Sequence, residues 1–277
     1  MAYVRQPFAI LKEDLMDKKW LLVGLGVLIG LLGCYVIYML STMDFSQMQA
    51  YIDSLPDSVK ALLGGQLDVT NPYSLFNAYF FSFLWLYCGI FLVYMASSIV
   101  SQEVENNTID LVLSEPVSRE KYLTGKIIFL YVFTVCLMGL IVALVAVGMG
   151  ASNVFIEEGL YWERLGAVFL TATLHLGTLA MTAVFFSTVF LNTKKTIAAA
   201  VVTMFLMFFA GGSYGTAGAA GSNPLQYAST WFYYNPAQYF GTGTFGNFAG
   251  DIAVLTAVNV GLIIASLFVF RKKDIPV

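Results

Sequence analysis

Six long stretches of this sequence contain no Asp, Glu, Lys or Arg, and they constrain the fold more than any other feature. They cover residues 20–40, 75–100, 127–149, 165–191, 196–211 and 252–270. A helix rises about 1.5 Å per residue, so about 20 apolar residues cross the roughly 30 Å hydrocarbon core of a bilayer. The stretches are continuous, whereas the strands of a transmembrane barrel alternate over about ten residues. The sequence therefore predicts an all-α integral membrane protein with six transmembrane helices, in one domain over residues 1–277.

Composition agrees with a bilayer environment. Hydrophobic residues make up 58% of the 277 residues and charged residues only 11%, whereas roughly a quarter of the residues of a soluble domain are charged. This excludes an ordinary soluble domain. The formal net charge of -3 gives no indication of nucleic-acid binding, so we expect membrane lipid as a partner and no nucleic acid.

Basic residues cluster at alternate ends of the apolar stretches. Twelve of the fourteen Lys and Arg residues come before the first stretch or after the second, fourth and sixth. These are Arg5, Lys12, Lys18, Lys19, Arg119, Lys121, Lys126, Lys194, Lys195, Arg271, Lys272 and Lys273. Only Lys60 and Arg164 fall on the other side. By the positive-inside rule, we predict a multi-pass protein of the cell membrane with both termini in the cytoplasm.

The segment before the first stretch has a pattern of its own. Phe8, Leu11, Leu15 and Met16 recur at helical spacing, with charged residues between them. An amphipathic helix of this kind lies along a membrane surface. We therefore predict an interfacial helix on the cytoplasmic leaflet, followed by the first transmembrane helix.

Three cysteines and one histidine lie inside the apolar stretches. Cys34, Cys88 and Cys136 fall in three different stretches, which favours neither a disulfide framework nor a metal site.

His175 lies midway along the fourth stretch. A polar residue in a membrane helix is a functional candidate, but a lone imidazole more commonly bonds a neighbouring helix, and we favour that interpretation. No catalytic or metal site is predicted.

The apolar stretches also lack the ionisable groups through which many transporters couple to ion gradients. Energy for transport would therefore enter through the cytoplasmic loops. These loops contain no nucleotide-binding motif: Thr124-Gly125-Lys126 is similar to the end of a P-loop, but Glu120 stands where the first glycine is needed. Any ATPase would be a separate chain.

The longest cytoplasmic loop, residues 101–126, carries the most specific pattern. Asn107 and Thr108 can cap a short helix, and Pro116 ends it. Its apolar face consists of Ile109, Val112 and Leu113. A short helix of this kind can dock into a groove of a soluble partner. A surface turn with incidental leucines is the alternative, and spacing alone leaves both open.

The same loop resembles the signature of ABC-2 type permeases. In that family an acidic pair, a Gly-Thr step, a leucine-rich short helix and a Pro-Val-Ser-Arg exit follow one another. The matching residues are Glu103, Glu105, Thr108, Ile109, Leu111, Val112, Leu113, Ser114, Pro116, Val117, Ser118 and Arg119. Asn107 replaces the usual glycine, and asparagine tolerates left-handed backbone better than most residues. The six-span layout, the amphipathic N-terminal segment and the ending over residues 270–275 are also similar to that family.

The resemblance implies a transporter subunit that is not itself an enzyme. The chain would carry no cofactor, and ATP and Mg would bind a separate ABC ATPase present in two copies. A second permease, expected to form a homodimer, would complete the pathway, because six spans enclose none in this family. Such permeases are mostly exporters. The implied ATPase-coupling residues are Glu103, Glu105, Asn107, Thr108, Ile109, Leu111, Val112, Leu113, Pro116 and Arg119.

The segment between the fifth and sixth stretches, residues 212–250, has no charge and many aromatic residues. Because Tyr and Trp favour the headgroup level, an interfacial belt is one interpretation. The resemblance instead implies a pair of re-entrant outer half-helices that cap an outer gate. The residues predicted for this gate are Tyr227, Trp231, Tyr234 and Pro236.

Gly26 and Gly30 form a small-xxx-small pair in the first stretch. This spacing is typical of dimerising membrane helices. Glycine is also common in membrane helices generally, so the pair only indicates where a dimer contact would be sought.

Two other functional classes share this hydropathy. A passive channel or a membrane scaffold protein would have no ATPase partner and no need of a docking helix. An intramembrane enzyme would need a catalytic set, and the stretches offer one histidine without an acidic partner. We therefore predict the ATP-driven permease, and the sequence does not identify its cargo.

Overall fold

A computed structural model gives the conformation of residues 7–43, 45, 54, 71–106, 118–211 and 224–273, with side chains from residue 11 onward. Six helices there are long and apolar enough to cross a membrane, which confirms that prediction. We number them spans 1 to 6: Leu11–Ser41, Pro72–Glu105, Arg119–Gly150, Trp162–Phe190, Thr193–Ala210 and Phe248–Lys272. Within the described ranges the regular structure is entirely helical.

Span 1 belongs to one uninterrupted helix, α1 (Pro7–Ser41). The amphipathic segment continues directly into the span as part of that helix, and its position on the membrane surface stays a prediction. Residues 8–23 contain no glycine or proline that would end a helix. At 35 residues, α1 is about 52 Å long, so it extends beyond the roughly 30 Å hydrocarbon core.

Span 2 is composite. It consists of α2 (Pro72–Tyr79), a 3₁₀ turn (Phe81–Phe83), a π-helical segment (Trp85–Gly89) and α3 (Ile90–Glu105). Wide π-helical turns inside an α-helix are frequent at functional sites. This one carries Trp85, whose side chain is buried against other helices.

The remaining elements follow in order. They are α4 (Arg119–Gly150), α5 (Asn153–Glu158), α6 (Trp162–Phe190), α7 (Thr193–Ala210), a 3₁₀ turn (Pro224–Ala228), α8 (Thr230–Tyr233), a π-helical segment (Ala237–Thr242) and α9 (Phe248–Lys272). Only Leu191 and Asn192 join α6 to α7. Leu191 has a φ of 51°, a left-handed conformation that strains a residue other than glycine.

Span 4 is the centre of the bundle. It contacts spans 2, 3, 5 and 6, while span 1 packs along span 3. In an apolar 18-residue segment of span 4, 72% of the residues are buried inside the protein, whereas the share is 17% in the corresponding segments of spans 5 and 6. Spans 5 and 6 therefore keep most of their apolar surface for lipid or for another chain.

The glycine pair of span 1 packs inside the chain. A methyl group added at Gly26 would lie 2.6 Å from Leu140 Cδ2 of α4, and one at Gly30 would clash with Leu144. The small residues thus allow α1 to approach α4 closely. These two glycines therefore lie in a contact within one chain.

Candidate functional site

The predicted coupling loop leaves span 2 and enters span 3 at one end of the bundle. Glu103 and Glu105 lie in the last turn of α3, and Arg119 is the first residue of α4. The other residues predicted for coupling lie outside the described residues: Asn107, Thr108, Ile109, Leu111, Val112, Leu113 and Pro116. Their docking helix stays a prediction, and the structure describes how the two ends of the loop are held.

Glu103 belongs to an ion-pair cluster that joins three helices. Lys126 Nζ of α4 lies 3.2 Å from Glu103 Oε1 and 3.0 Å from Asp14 Oδ2 of α1. The Tyr122 hydroxyl donates to Glu103 Oε2. The side chains of Lys126, Asp14 and Glu103 are only 13%, 24% and 25% exposed. Solvent screens such pairs less than surface pairs, which contribute about 0–1 kcal/mol.

Glu105 holds the turn between spans 4 and 5. Its Oε1 accepts from Asn192 Nδ2 at 2.6 Å and from the Thr193 backbone N–H at 3.2 Å. Asn192 in turn caps α7, because its Oδ1 accepts from the Lys195 N–H at 3.0 Å. A carboxylate at a helix N-terminus is stabilised by the unpaired N–H groups and the helix dipole. Glu105 therefore ties the start of the loop to the strained turn at Leu191.

Arg119 holds the other end of the loop. Its Nη1 donates to the Lys273 carbonyl at the end of α9, at 2.8 Å. Lys273 Nζ donates to the Val189 carbonyl near the end of α6, at 2.9 Å. Ser118 caps α4 by accepting from the Lys121 N–H at 3.3 Å. The two ends of the loop together contact spans 1, 3, 5 and 6.

At the opposite end, the predicted gate residues divide into two groups. Trp231, Tyr234 and Pro236 are buried, whereas Tyr227 is 56% exposed. The Tyr234 hydroxyl donates to the Phe81 carbonyl of span 2 at 3.0 Å. Three of the four residues thus pack into the bundle, and Tyr227 contacts Phe232 at its surface. Whether this segment is re-entrant depends on its depth in a bilayer and stays a prediction.

The outer segment, which we define as residues 224–247 between spans 5 and 6, is also held by polar contacts. Arg164 Nη1 of span 4 donates to the Phe240 and Gly241 carbonyls, each at 3.5 Å. The Tyr239 hydroxyl donates to Asp251 at the start of α9. Burial, together with this hydrogen bond, raises the pKa of the Tyr239 phenol, which therefore stays protonated and donates. The segment is anchored to spans 4 and 6 by these contacts.

His175 lies beneath the outer segment, surrounded by aromatic rings. Its ring is parallel to Tyr234 at 4.7 Å and edge-on to Trp231 at 4.6 Å, and Trp231 lies 5.6 Å from Trp85. Neither ring nitrogen of His175 has a hydrogen-bond partner among the described residues. The favoured interpretation of a histidine bonded to a neighbouring helix was therefore wrong, and aromatic packing holds the ring instead.

Comparison with known families gives a match over most of the chain. A family model described as ABC-2 family transporter protein matches residues 35–271, most of the chain. This chain belongs to that family. As an ABC-2 permease it is the membrane component of an ABC transporter, a class that works with an ATPase partner and is not itself catalytic. No curated protein sequence matches the chain at a significant level.

Several side chains that hold the ends of the predicted coupling loop in this ABC-2 permease were not predicted. They are Asp14, Tyr122, Lys126 and Asn192. The sequence singled out Lys126 only as a cytoplasmic charge and in the P-loop-like triplet Thr124-Gly125-Lys126, and it did not single out the other three. Their pairing depends on contacts between different helices, such as that of Lys126 with Asp14 112 residues away, and the short motif around Glu103 carries no signal of it.

Within the described segments there is no group of three His, Cys, Asp or Glu side chains that could hold a metal ion. Several described polar side chains join helices, among them Glu103, Glu105 and Arg119.

Proposed function

We propose that this ABC-2 permease is the membrane subunit of an ATP-driven exporter and that the loop over residues 103–119 couples it to a separate ABC ATPase. The anchoring of the loop ends carries this proposal. Glu103 and Glu105 tie its start to spans 1, 3 and 5, and Arg119 ties its end to span 6. Displacing the loop would therefore move these spans together rather than bend a free connection.

The proposed cycle uses ATP and Mg only on the partner. Two ATPase copies close around ATP and draw a coupling helix from each of two permease chains. The bundle would then shift between inward-facing and outward-facing states, because the loop favours one arrangement of its anchored helices over the other. We expect a homodimer with both termini in the cytoplasm of a cell-membrane complex.

The outer segment is proposed as the gate of this exporter. Trp231 and Tyr234 fill the space above His175 and beside Trp85. Opening would require these rings to separate. A pathway lined by aromatic and uncharged side chains favours an amphipathic or hydrophobic cargo, because a charged solute would lose hydration there.

Replacement of two apolar residues of the loop tests the coupling. Leu111→Asp together with Leu113→Asp would place charges in a groove built for apolar contact. We expect ATPase association to weaken at least about tenfold, with membrane insertion unchanged. The matched control, Asn106→Asp with Ser114→Asp, adds the same charge at polar positions of the loop and should retain the ATPase.

The measurement is purification in mild detergent, with the chain expressed beside its neighbouring genes. ATPase recovered per permease, vanadate-sensitive hydrolysis and the native mass of the complex are recorded. Normal ATPase recovery and transport by the double leucine variant would remove the coupling role. A wild-type chain that purifies without any ATPase would favour the passive channel or scaffold interpretation.

A further inference from the structure

A group of buried polar atoms without partners gathers around one ring of the proposed gate, that of Trp231. His175 Nδ1 and Nε2, Trp85 Nε1, Trp231 Nε1 and Thr230 Oγ1 form no hydrogen bond with any residue that the structure describes. The Trp231 ring lies 4.6 Å from the His175 ring and 5.6 Å from the Trp85 ring, and Thr230 precedes it in the chain. Buried polar groups in folded proteins are nearly always paired, so a cluster of unpaired ones needs an explanation.

The same four side chains are closed off from solvent. His175, Trp231, Trp85 and Thr230 are only 1%, 3%, 4% and 6% exposed. Bulk water therefore does not reach their polar atoms in this conformation. The closed gate carries the cost of these unsatisfied groups, and a partner that enters between the rings removes that cost.

The cluster offers more hydrogen-bond donors than acceptors. An indole N–H only donates, whereas a neutral imidazole and a hydroxyl each donate and accept. The two indoles, the imidazole and the hydroxyl thus supply four donors, but only the imidazole and the hydroxyl can accept. The surrounding sequence, residues 75–100, 165–191 and 212–250, contains no charged residue. The complementary partner is therefore an uncharged molecule that carries acceptors.

The irregular part of span 2 borders this cluster. Trp85 begins the π-helical segment Trp85–Gly89, which follows the 3₁₀ turn Phe81–Phe83. Wide turns of this kind are frequent at functional sites. The Tyr234 hydroxyl, on the ring stacked against His175, is paired with the Phe81 carbonyl of that turn. The unpaired groups thus adjoin an irregular wall of the gate rather than a regular contact between helices.

We propose that these side chains form the cargo-recognition site of the gate, and that the site selects uncharged amphipathic molecules with two or more carbonyl oxygens. When the rings separate, the indole N–H groups of Trp85 and Trp231 donate to two carbonyls of the cargo. The rings bury its apolar skeleton. An uncharged carbonyl loses less hydration in this setting than a charged group does. The site rests on the gate proposed above for the exporter and adds the chemistry by which the gate chooses its cargo.

The probes are three benzene derivatives of matched length. Dimethyl terephthalate carries two ester carbonyls, 1,4-dipropylbenzene has the same chain length without oxygen, and monomethyl terephthalate replaces one ester with a carboxylate. The full chain, purified in detergent without an ATPase, is photolabelled with benzophenone, and the labelled residues are mapped by mass spectrometry. We expect label in the segments around Trp85 and Trp231. The diester should protect them at a concentration at least about tenfold lower than either of the other two probes.

Phenylalanine substitutions separate hydrogen bonding from ring packing. Trp85→Phe together with Trp231→Phe keeps two aromatic rings and removes both indole donors. The advantage of the diester should disappear in this variant while protection by dipropylbenzene remains, and each single substitution should remove part of it. The matched control, Trp20→Phe with Trp162→Phe, removes two exposed indoles outside the cluster and should keep the full advantage.

Three outcomes would overturn the proposal. They are label that avoids both segments, equal protection by the diester and dipropylbenzene, and an advantage that survives the double substitution in the cluster. Stronger protection by the carboxylate would also contradict it, because the site would then select an anion. No ATPase is present in this assay, so these outcomes are independent of coupling, whose failure is seen in the recovery of the ATPase.

Discussion

His175 and Asn259 are both buried inside the bundle, but only Asn259 forms side-chain hydrogen bonds with the described residues. Asn259 donates to the Leu174 carbonyl at 3.1 Å and to the Leu255 carbonyl at 2.8 Å, and it accepts from Tyr131. His175 has no hydrogen-bond partner among the described residues and packs against aromatic rings. A buried polar group without a partner costs about 1–3 kcal/mol. The two residues therefore make opposite contributions to stability.

Replacement of His175 and of Asn259 by apolar residues should change the stability of the folded protein in opposite directions. His175→Phe keeps an aromatic ring beside Tyr234 and Trp231 and removes two unsatisfied nitrogens, so we expect stabilisation by about 1 kcal/mol. Asn259→Leu leaves the Tyr131 hydroxyl without its acceptor and should destabilise by about 1–3 kcal/mol. Thermal unfolding in detergent measures both changes. A lower unfolding temperature for His175→Phe would show that the imidazole has a partner in the folded protein.

The same histidine variant separates stability from transport. If opening of the gate exposes the imidazole to cargo, transport should fall in His175→Phe although the protein is more stable. Unchanged transport would leave His175 with a packing role only.

At the scale of helices, the contact between α1 and α4 determines which surface of α1 remains free. Gly26 and Gly30 face Leu140 and Leu144 of α4, whereas a methyl group at Gly24 would meet nothing within 4 Å. The glycine side of α1 is therefore occupied within one chain. A second permease copy would have to use another surface.

Alanine substitutions on α1 distinguish these faces. Gly30→Ala would push into Leu144 and should destabilise the protein by about 1–3 kcal/mol, because overpacking forces the facing helix to move. Gly24→Ala is the matched control and should be neutral or slightly stabilising, since alanine favours helix over glycine. Thermal unfolding and native mass are measured together. Loss of an oligomer in Gly30→Ala without loss of stability would instead place a dimer contact at this glycine pair.

Across the whole molecule, the basic residues predict which end faces the cytoplasm. Contacts of Lys126 with Asp14 and of Arg119 with Lys273 place the basic ends of spans 1, 3 and 6 together. Arg164 lies at the opposite end, where it donates to backbone carbonyls of the outer segment. A single orientation thus satisfies the positive-inside rule for these spans.

Cysteine labelling in intact cells tests this orientation. In a background with the three native cysteines replaced by alanine, Glu157→Cys should react with a membrane-impermeant thiol reagent. Lys194→Cys should react only after the cells are permeabilised. Both positions are exposed, so burial does not explain a difference. The reverse labelling pattern would show that the charged end of the bundle faces outward.

The sequence by itself determined the six transmembrane helices, their approximate ends and, through the coupling-loop motif, the family. These depend on hydrophobic length and on short local motifs, which can be read along one chain. The docking residues Asn107 to Leu113 stay a prediction from that motif.

Only the tertiary structure decided which faces of the helices meet. The spans are apolar on nearly every side, and in lipid no hydrophobic stripe marks the packed face, because lipid tails are as apolar as leucine. The contact of Gly30 with Leu144, the bridge from Lys126 to Asp14 and Glu103, and the aromatic surroundings of His175 all depend on close packing between distant segments. The continuous helix α1, by contrast, follows from the absence of any breaker in residues 8–23, a feature of the sequence itself.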